Sequence, residues 1–176
     1  LYFSKTKPEC NEGLEKTKLI KEKITPKKIS LALARLKAKS ISIKKINSLV
    51  LGCDTIINLN GEILNKAKNE TEAKKKISKL SGKKHFIYSS ASVYQNHKEI
   101  WKTTQTSVVQ IRQLSKKEIN QYLLKAGNSV LNSVGCYQIE ELGPNIIENI
   151  KGDFFNVMGF PLFPFLKFLK KNKVKK

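Results

Sequence analysis

Apolar residues recur along this chain at two different periods, and the switches between them mark its elements. Ile29, Leu33 and Leu36 fall at helical spacing after Thr25-Pro26, where Thr is a favoured N-cap and Pro a favoured first helical residue. That spacing predicts a helix to about Ser40. Leu49-Val50-Leu51 then form a short apolar run that stops at Gly52 and resumes at Ile56-Ile57, ahead of Asn60-Gly61. Apolar flanks predict a buried strand, and Asn-Gly predicts a tight hairpin turn. Asn69 with Glu72 three positions on, followed by Ala73, Ile77 and Leu80, predicts a second helix that Gly82 ends.

Residues 84–94 and 99–112 are rich in aromatic, β-branched and hydroxyl side chains and predict two strands around a turn at Gln95–Lys98. Ser115 and Glu118 form a capping box that opens a helix through Ile119, Tyr122 and Leu123. Gly127 and Gly135 bracket a loop region, and Ile146–Ile150 and Phe154–Met158 read as short strands around Gly152. Pro161 to Lys171 predicts an apolar helix turning basic at its end. A terminal helix docked on a sheet is expected there, with its lysines complementing the helix dipole. Pro164 interrupts the long amphipathic face that a membrane-surface helix needs. Together these elements predict an α/β fold, a single mixed-sheet domain flanked by helices.

Composition narrows the picture. A chain of 176 residues suits one domain spanning residues 1–176, with a basic tail over 172–176. A hydrophobic content of 40% argues against wholesale disorder. No run approaches the roughly 18 apolar residues of a membrane span, and no signal-peptide pattern opens the chain. Cys10, Cys53 and Cys136 are odd in number and form no Cys-x-x-Cys pair, which points to a reduced, cytoplasmic protein without a zinc site. The formal charge of +20 comes almost wholly from lysine, since Arg35 and Arg112 are the only arginines. Those lysines spread along the whole chain, as on a solvated surface, so specific nucleic-acid binding is not expected. They would still attract an anionic substrate.

One residue stands out chemically. Asp54 places a carboxylate inside a predicted buried strand, where an acid must be paired, hold a metal or act as a base. Lys37 follows Leu33 by four positions and projects from the margin of its helix's apolar face. His85 and His97 are too far apart for a metal site, and His85, at the start of a strand, is expected to be structural.

Around Asp54 the chain resembles the Maf family of nucleoside triphosphate pyrophosphatases. Gly52-Cys53-Asp54-Thr55 and Gly61-Glu62-Ile63-Leu64-Asn65-Lys66 match its Gly-Ala-Asp-Thr and Gly-x-Ile-Leu-Gly-Lys blocks. The resemblance continues at Leu80-Ser81-Gly82-Lys83-Lys84-His85, at Ser133-Val134-Gly135-Cys136-Tyr137-Gln138-Ile139-Glu140 and at Gly152–Pro161, with Leu33–Ala38 upstream. These blocks, in the family's order, cover most of the chain from about Cys10 onward.

The resemblance implies a Maf/ITPase-like fold and hydrolysis of a nucleoside triphosphate to the monophosphate and pyrophosphate, as house-cleaning of the nucleotide pool. It implies Asp54 as proton acceptor, Glu12 and Asp54 as ligands of a divalent cation (Mg2+ or Mn2+), and Lys37 and Lys66 as phosphate contacts. Thr55 and Glu140 match positions that bear on base selection. Glu at position 140 leans away from the branch acting on thymidine and uridine triphosphates, whose members carry Gln there. Glu141 replaces the Gly usual after it. A homodimer is implied as well. The family's opening strand and Ser-x-Ser-Pro-Arg-Arg phosphate loop have no counterpart after Leu1, so a missing N-terminal segment and weak activity are expected. The alternatives are a catalytically impaired homologue and a basic, non-catalytic nucleic-acid-binding protein.

Overall fold

The structure, a computed structural model, describes residues 3–172. Leu1 and Tyr2, and all of the basic tail after Asn172, lie outside the described residues. Two helices, α1 (Glu12–Lys21) and α2 (Pro26–Ser42), precede the strand β1 (Val50–Leu59). A two-residue strand β2 (Glu62–Ile63), the helix α3 (Glu70–Leu80) and the long strands β3 (Lys84–Gln95) and β4 (Lys98–Ile111) follow. The chain continues through α4 (Lys116–Ala126), β5 (Ile147–Lys151), α5 (Phe154–Met158) and α6 (Leu162–Lys171), with 3-10 turns at Gly127–Asn132 and Gly143–Asn145. The strands form one sheet in the order β2-β1-β3-β4-β5, and the β1/β2 and β4/β5 pairs are antiparallel. This is the α/β class expected from the sequence.

Both tight turns take left-handed backbone, as two-residue hairpins require. Asn60 and Gly61 have φ of 51° and 90°, and Asn96 and His97 have φ of 47° and 67°. Thr25 precedes Pro26 at the start of α2, although its hydroxyl makes no capping bond. Ser115 and Glu118 close a complete capping box on α4. At α3 the Asn69 side chain accepts from the Glu72 amide at 2.9 Å, while Glu72 reaches past it to the Lys68 amide, also at 2.9 Å.

Two segments differ from the sequence reading. Residues 12–21, to which no element was assigned, form α1. Asn11 caps it by accepting from the Leu14 amide at 2.9 Å, acids fill its first turn and lysines its last, and it buries no side chain. Phe154–Met158 is a helix and not a strand. Aromatic and β-branched residues favour strand there, but Asp153 accepts from the Asn156 amide at 2.9 Å and starts a helical turn.

The chain divides into two compact units. The first holds residues up to Thr55, Tyr88–Gln105 and the segment from Gly159 onward. Its apolar cluster joins Phe165, Phe168 and Leu169 of α6 to Val93, Leu51, Trp101 and Phe160, so α6 docks on the sheet as expected. The Trp101 ring stacks on Phe168 with centroids 5.0 Å apart. The second unit holds Ile56–Ile87 and Thr106–Met158. Its larger core packs Ala73, Ile77 and Leu80 of α3 and Ile119, Tyr122 and Leu123 of α4 against Ile57, Leu59, Ile87, Val109 and Ile111.

Candidate active site

The site begins at Gly52, where α2 and β1 come close together. A Cβ at this position would lie 2.3 Å from the Ala34 carbonyl oxygen, 2.6 Å from the Ala38 nitrogen and 2.9 Å from the Ala38 Cβ. Only glycine in the strand and alanines on the helix permit such an approach. Ile29, Leu33, Ala34, Ala38 and Ile41 form the buried face of α2. Lys37, at the margin of that face, is thereby carried to the acid two residues beyond Gly52.

The Lys37 ammonium donates to Asp54 Oδ1 at 2.8 Å and lies 2.9 Å from Glu12 Oε2. Glu12 is the first residue of α1 and Asp54 sits in β1, so three elements meet at one cation. Asp54 is the most enclosed member, with its side chain 12% exposed against 20% for Lys37 and 40% for Glu12. Its second oxygen, Oδ2, is buried and has no hydrogen-bond partner among the described residues. An unpaired buried carboxylate oxygen is costly.

Burial raises the Asp54 carboxyl above the usual aspartate range, against the pull of Lys37. Burial acts to lower Lys37, but Asp54 and Glu12 outweigh it and hold the ammonium charged. Cys53, beside Asp54, is pushed up to about 12 by burial. It is a neutral thiol at physiological pH and no nucleophile. Lys16, one turn after Glu12 on α1, also opposes the rise of Asp54. The Glu12/Lys16 spacing of four was the readable sign of that helix.

Thr55 is engaged structurally. Its hydroxyl donates to the Gly159 carbonyl at 3.1 Å, and with its single proton committed it accepts from Ser89 at 3.0 Å. This ties β1 and β3 to the turn before α6. An open cavity of about 730 Å³ lies beside the triad, with Lys37, Gly52 and Cys53 in its wall and Ile41, Val93 and Phe168 among its apolar lining.

The structure thus brings together Glu12, Lys37 and Asp54 of the expected site residues. Lys66 and Glu140 belong to the second unit. Lys66 is exposed on the loop between β2 and α3, and Glu140 is exposed in the turn after Tyr137. Tyr137 itself is buried, accepting or donating at 2.6 Å with His85 Nε2 and bracketed by the Ser133 hydroxyl at 2.7 and 3.0 Å. His85 is fully buried and pushed down to about 4 by desolvation, in keeping with a structural role.

The family model described as Maf-like protein matches residues 2–172. The chain belongs to the Maf family. It is 42% identical over 142 residues to the 7-methyl-GTP pyrophosphatase of Bartonella quintana, covering 81% of this chain and 72% of that protein. It is 34% identical over 167 residues to the nucleoside triphosphate pyrophosphatase of Ruegeria pomeroyi, covering 95% and 84%. A third relative, the nucleoside triphosphate pyrophosphatase of Caulobacter vibrioides, is 33% identical over 168 residues, covering 96% and 84%.

The Maf resemblance implies a divalent cation, and the acids present fit one. Glu12 and Asp54 offer hard carboxylate oxygens, and the orphaned Asp54 Oδ2 is a ready ligand atom. Among the described residues no three or more His, Cys, Asp or Glu side chains gather as a preformed metal cage. Two carboxylates with the rest of the shell supplied by substrate phosphates and water is the usual arrangement for magnesium. No described helix is long and apolar enough to cross a membrane, and all three cysteines are free.

Proposed function

We propose that this Maf protein hydrolyses a nucleoside triphosphate at its α-phosphorus, releasing the nucleoside monophosphate and pyrophosphate. The observation that carries this reading is the enclosed Asp54, with one oxygen held by Lys37 and the other unpartnered among the described residues. Asp54 takes a proton from a water molecule, whose oxygen attacks the α-phosphorus. The bond to the bridging oxygen breaks, and the electron pair leaves with pyrophosphate. A carboxyl raised by burial is a better base near neutral pH than an ordinary aspartate. Lys37 fixes the orientation of that carboxylate and, with Lys66, neutralises phosphate oxygens as charge moves onto the leaving group. Glu12 and Asp54 would hold Mg2+ or Mn2+, which would supply positive charge to offset that of the phosphates.

A guanine-type base is the preferred substrate in this reading. Glu140 is exposed in its turn and, as a pure acceptor, suits the N–H groups of a guanine edge. The relative from Bartonella quintana is named for 7-methyl-GTP, which supports the same choice. Residues 1–176 act as one functional domain in a reduced cytoplasm, and two copies form a homodimer. The test is product analysis on a panel of 7-methyl-GTP, GTP, UTP, dTTP and CTP with Mg2+ or Mn2+. Pyrophosphate and monophosphate from guanine nucleotides, with Glu140→Gln shifting preference toward UTP and dTTP, is the expected result. Orthophosphate as the product, or release that Asp54→Asn leaves intact, would overturn the reading.

A further inference from the structure

The loop between β2 and α3, residues 64–69, is pinned on both sides of Lys66. The Leu64 amide donates to the Ile57 carbonyl at 2.9 Å, and the Leu64 side chain is 4% exposed. Ala67 is also buried, and its backbone is hydrogen-bonded to the Cys136 thiol. The Lys68 amide donates to Glu72 at 2.9 Å, and Asn69 caps α3. Asn65 is tied through its carbonyl oxygen, which accepts from the ammonium of Lys76, one α3 turn beyond Glu72. Lys76 is half-buried and its ammonium is lowered from the usual lysine range by burial. A lysine desolvated in this way stays only where its donors are used. The neighbouring pair Lys79–Glu62 is by contrast exposed on both sides.

We propose that Lys76 is a positioning residue for the phosphate-binding loop, holding the Asn65 carbonyl so that Lys66 is presented in one fixed place. Within the backbone the anchor acts on the residue directly before Lys66, and Leu64 and Ala67 fix its flanks. The substrate-binding part rests on the pyrophosphatase reading; the anchoring itself does not. Truncating the ammonium while keeping the stem, as in Lys76→Met, frees Asn65 and lets Lys66 wander. Misplacing a binding group by about an ångström costs up to about a hundredfold in rate.

Two readouts test this on the full chain. Amide hydrogen exchange over residues 64–69 should accelerate in Lys76→Met, recover in Lys76→Arg and stay unchanged in the control Lys79→Met. Unchanged exchange in Lys76→Met would overturn the proposal whether or not the chain is active. In turnover assays Lys76→Met should raise KM for the triphosphate roughly tenfold with a smaller change in kcat, and should add nothing in a Lys66→Ala background. An equal loss with and without Lys66 would show that Lys76 does not act through it. A wild-type chain that releases orthophosphate in place of pyrophosphate, but with accelerated exchange in Lys76→Met, would refute the pyrophosphatase reading and leave the anchor standing.

Discussion

Lys37 Nζ lies 2.8 Å from Asp54 Oδ1 because residue 52, two positions before the acid, has no side chain to hold the helix away. The α2 backbone at Ala34 and Ala38 occupies the space that a Cβ on Gly52 would need. The contact that defines the site is therefore set by packing, one step removed from the charged residues themselves.

Gly52→Ala should be among the most damaging small substitutions in the protein. Its methyl group meets backbone atoms at 2.3 and 2.6 Å, and backbone cannot give way as a flexible side chain can. A loss of about 1–3 kcal/mol is expected from such overpacking, read as a lower urea midpoint. Activity should fall further than stability, because α2 carries Lys37 away with it. A variant with unchanged midpoint and turnover would refute the close approach.

Lys37→Met leaves two carboxylates, one of them enclosed, without their shared cation. Removing one partner of a paired buried charge costs several kcal/mol; with Glu12 40% exposed about 1–3 kcal/mol is the fitting figure. Urea unfolding at neutral pH measures it. Protonating Asp54 relieves the unpaired charge, so the deficit should shrink as the pH falls.

The pH–rate profile carries a second signature of the same pair. As the proposed base, Asp54 must be deprotonated to accept a proton, and burial holds its carboxyl above the ordinary aspartate range. The rate, as kcat/KM, should therefore rise with pH along an acid limb displaced upward from that of an ordinary aspartate. Because Lys37 pulls the carboxyl down, Lys37→Met should displace the limb further upward. A limb that moved downward in the variant would contradict the assignment.

His85 gives a stability prediction with the opposite polarity in its cause. Desolvation lowers its imidazole from 6.5 to about 4 in the folded chain, so below pH 6.5 the unfolded state takes up a proton that the native state refuses. Stability is fully present above pH 6.5 and is lost as the pH falls toward 4, by roughly 3 kcal/mol for a shift of that size. His85→Gln, which can still meet the Tyr137 hydroxyl, should lose less stability than the parent between pH 7 and 4.5. Equal losses in denaturant titrations at the two pH values would count against a neutral buried His85.

Much of the fold was legible because local chemistry and tertiary packing agree. Asn60-Gly61 can take positive φ, Ser115 and Glu118 satisfy each other's backbone, and Pro26 fits a first helical turn, so each signal acts within a few residues. The two misjudged segments are those where local pattern and burial diverge. Helix α1 buries no side chain, leaving no apolar stripe to read, and only Asn11 and the charge order marked it. Phe154-Phe155 reads as strand until Asp153 is recognised as a cap. Within the site, an acid in a buried strand drew attention to Asp54 by itself. That Lys37 bridges it to Glu12 could not be read, because the contact depends on how closely α2 approaches β1 at Gly52.

The most direct test of the account is a single-turnover reaction in oxygen-18 water, with enzyme in excess over 7-methyl-GTP so that slow turnover is still read. Attack at the α-phosphorus by a water that Asp54 activates predicts the label in the nucleoside monophosphate, none in pyrophosphate, and no product with Asp54→Asn. Label in pyrophosphate would place the attack at the β-phosphorus, and labelled monophosphate from Asp54→Asn at the parent's rate would remove Asp54 as the base.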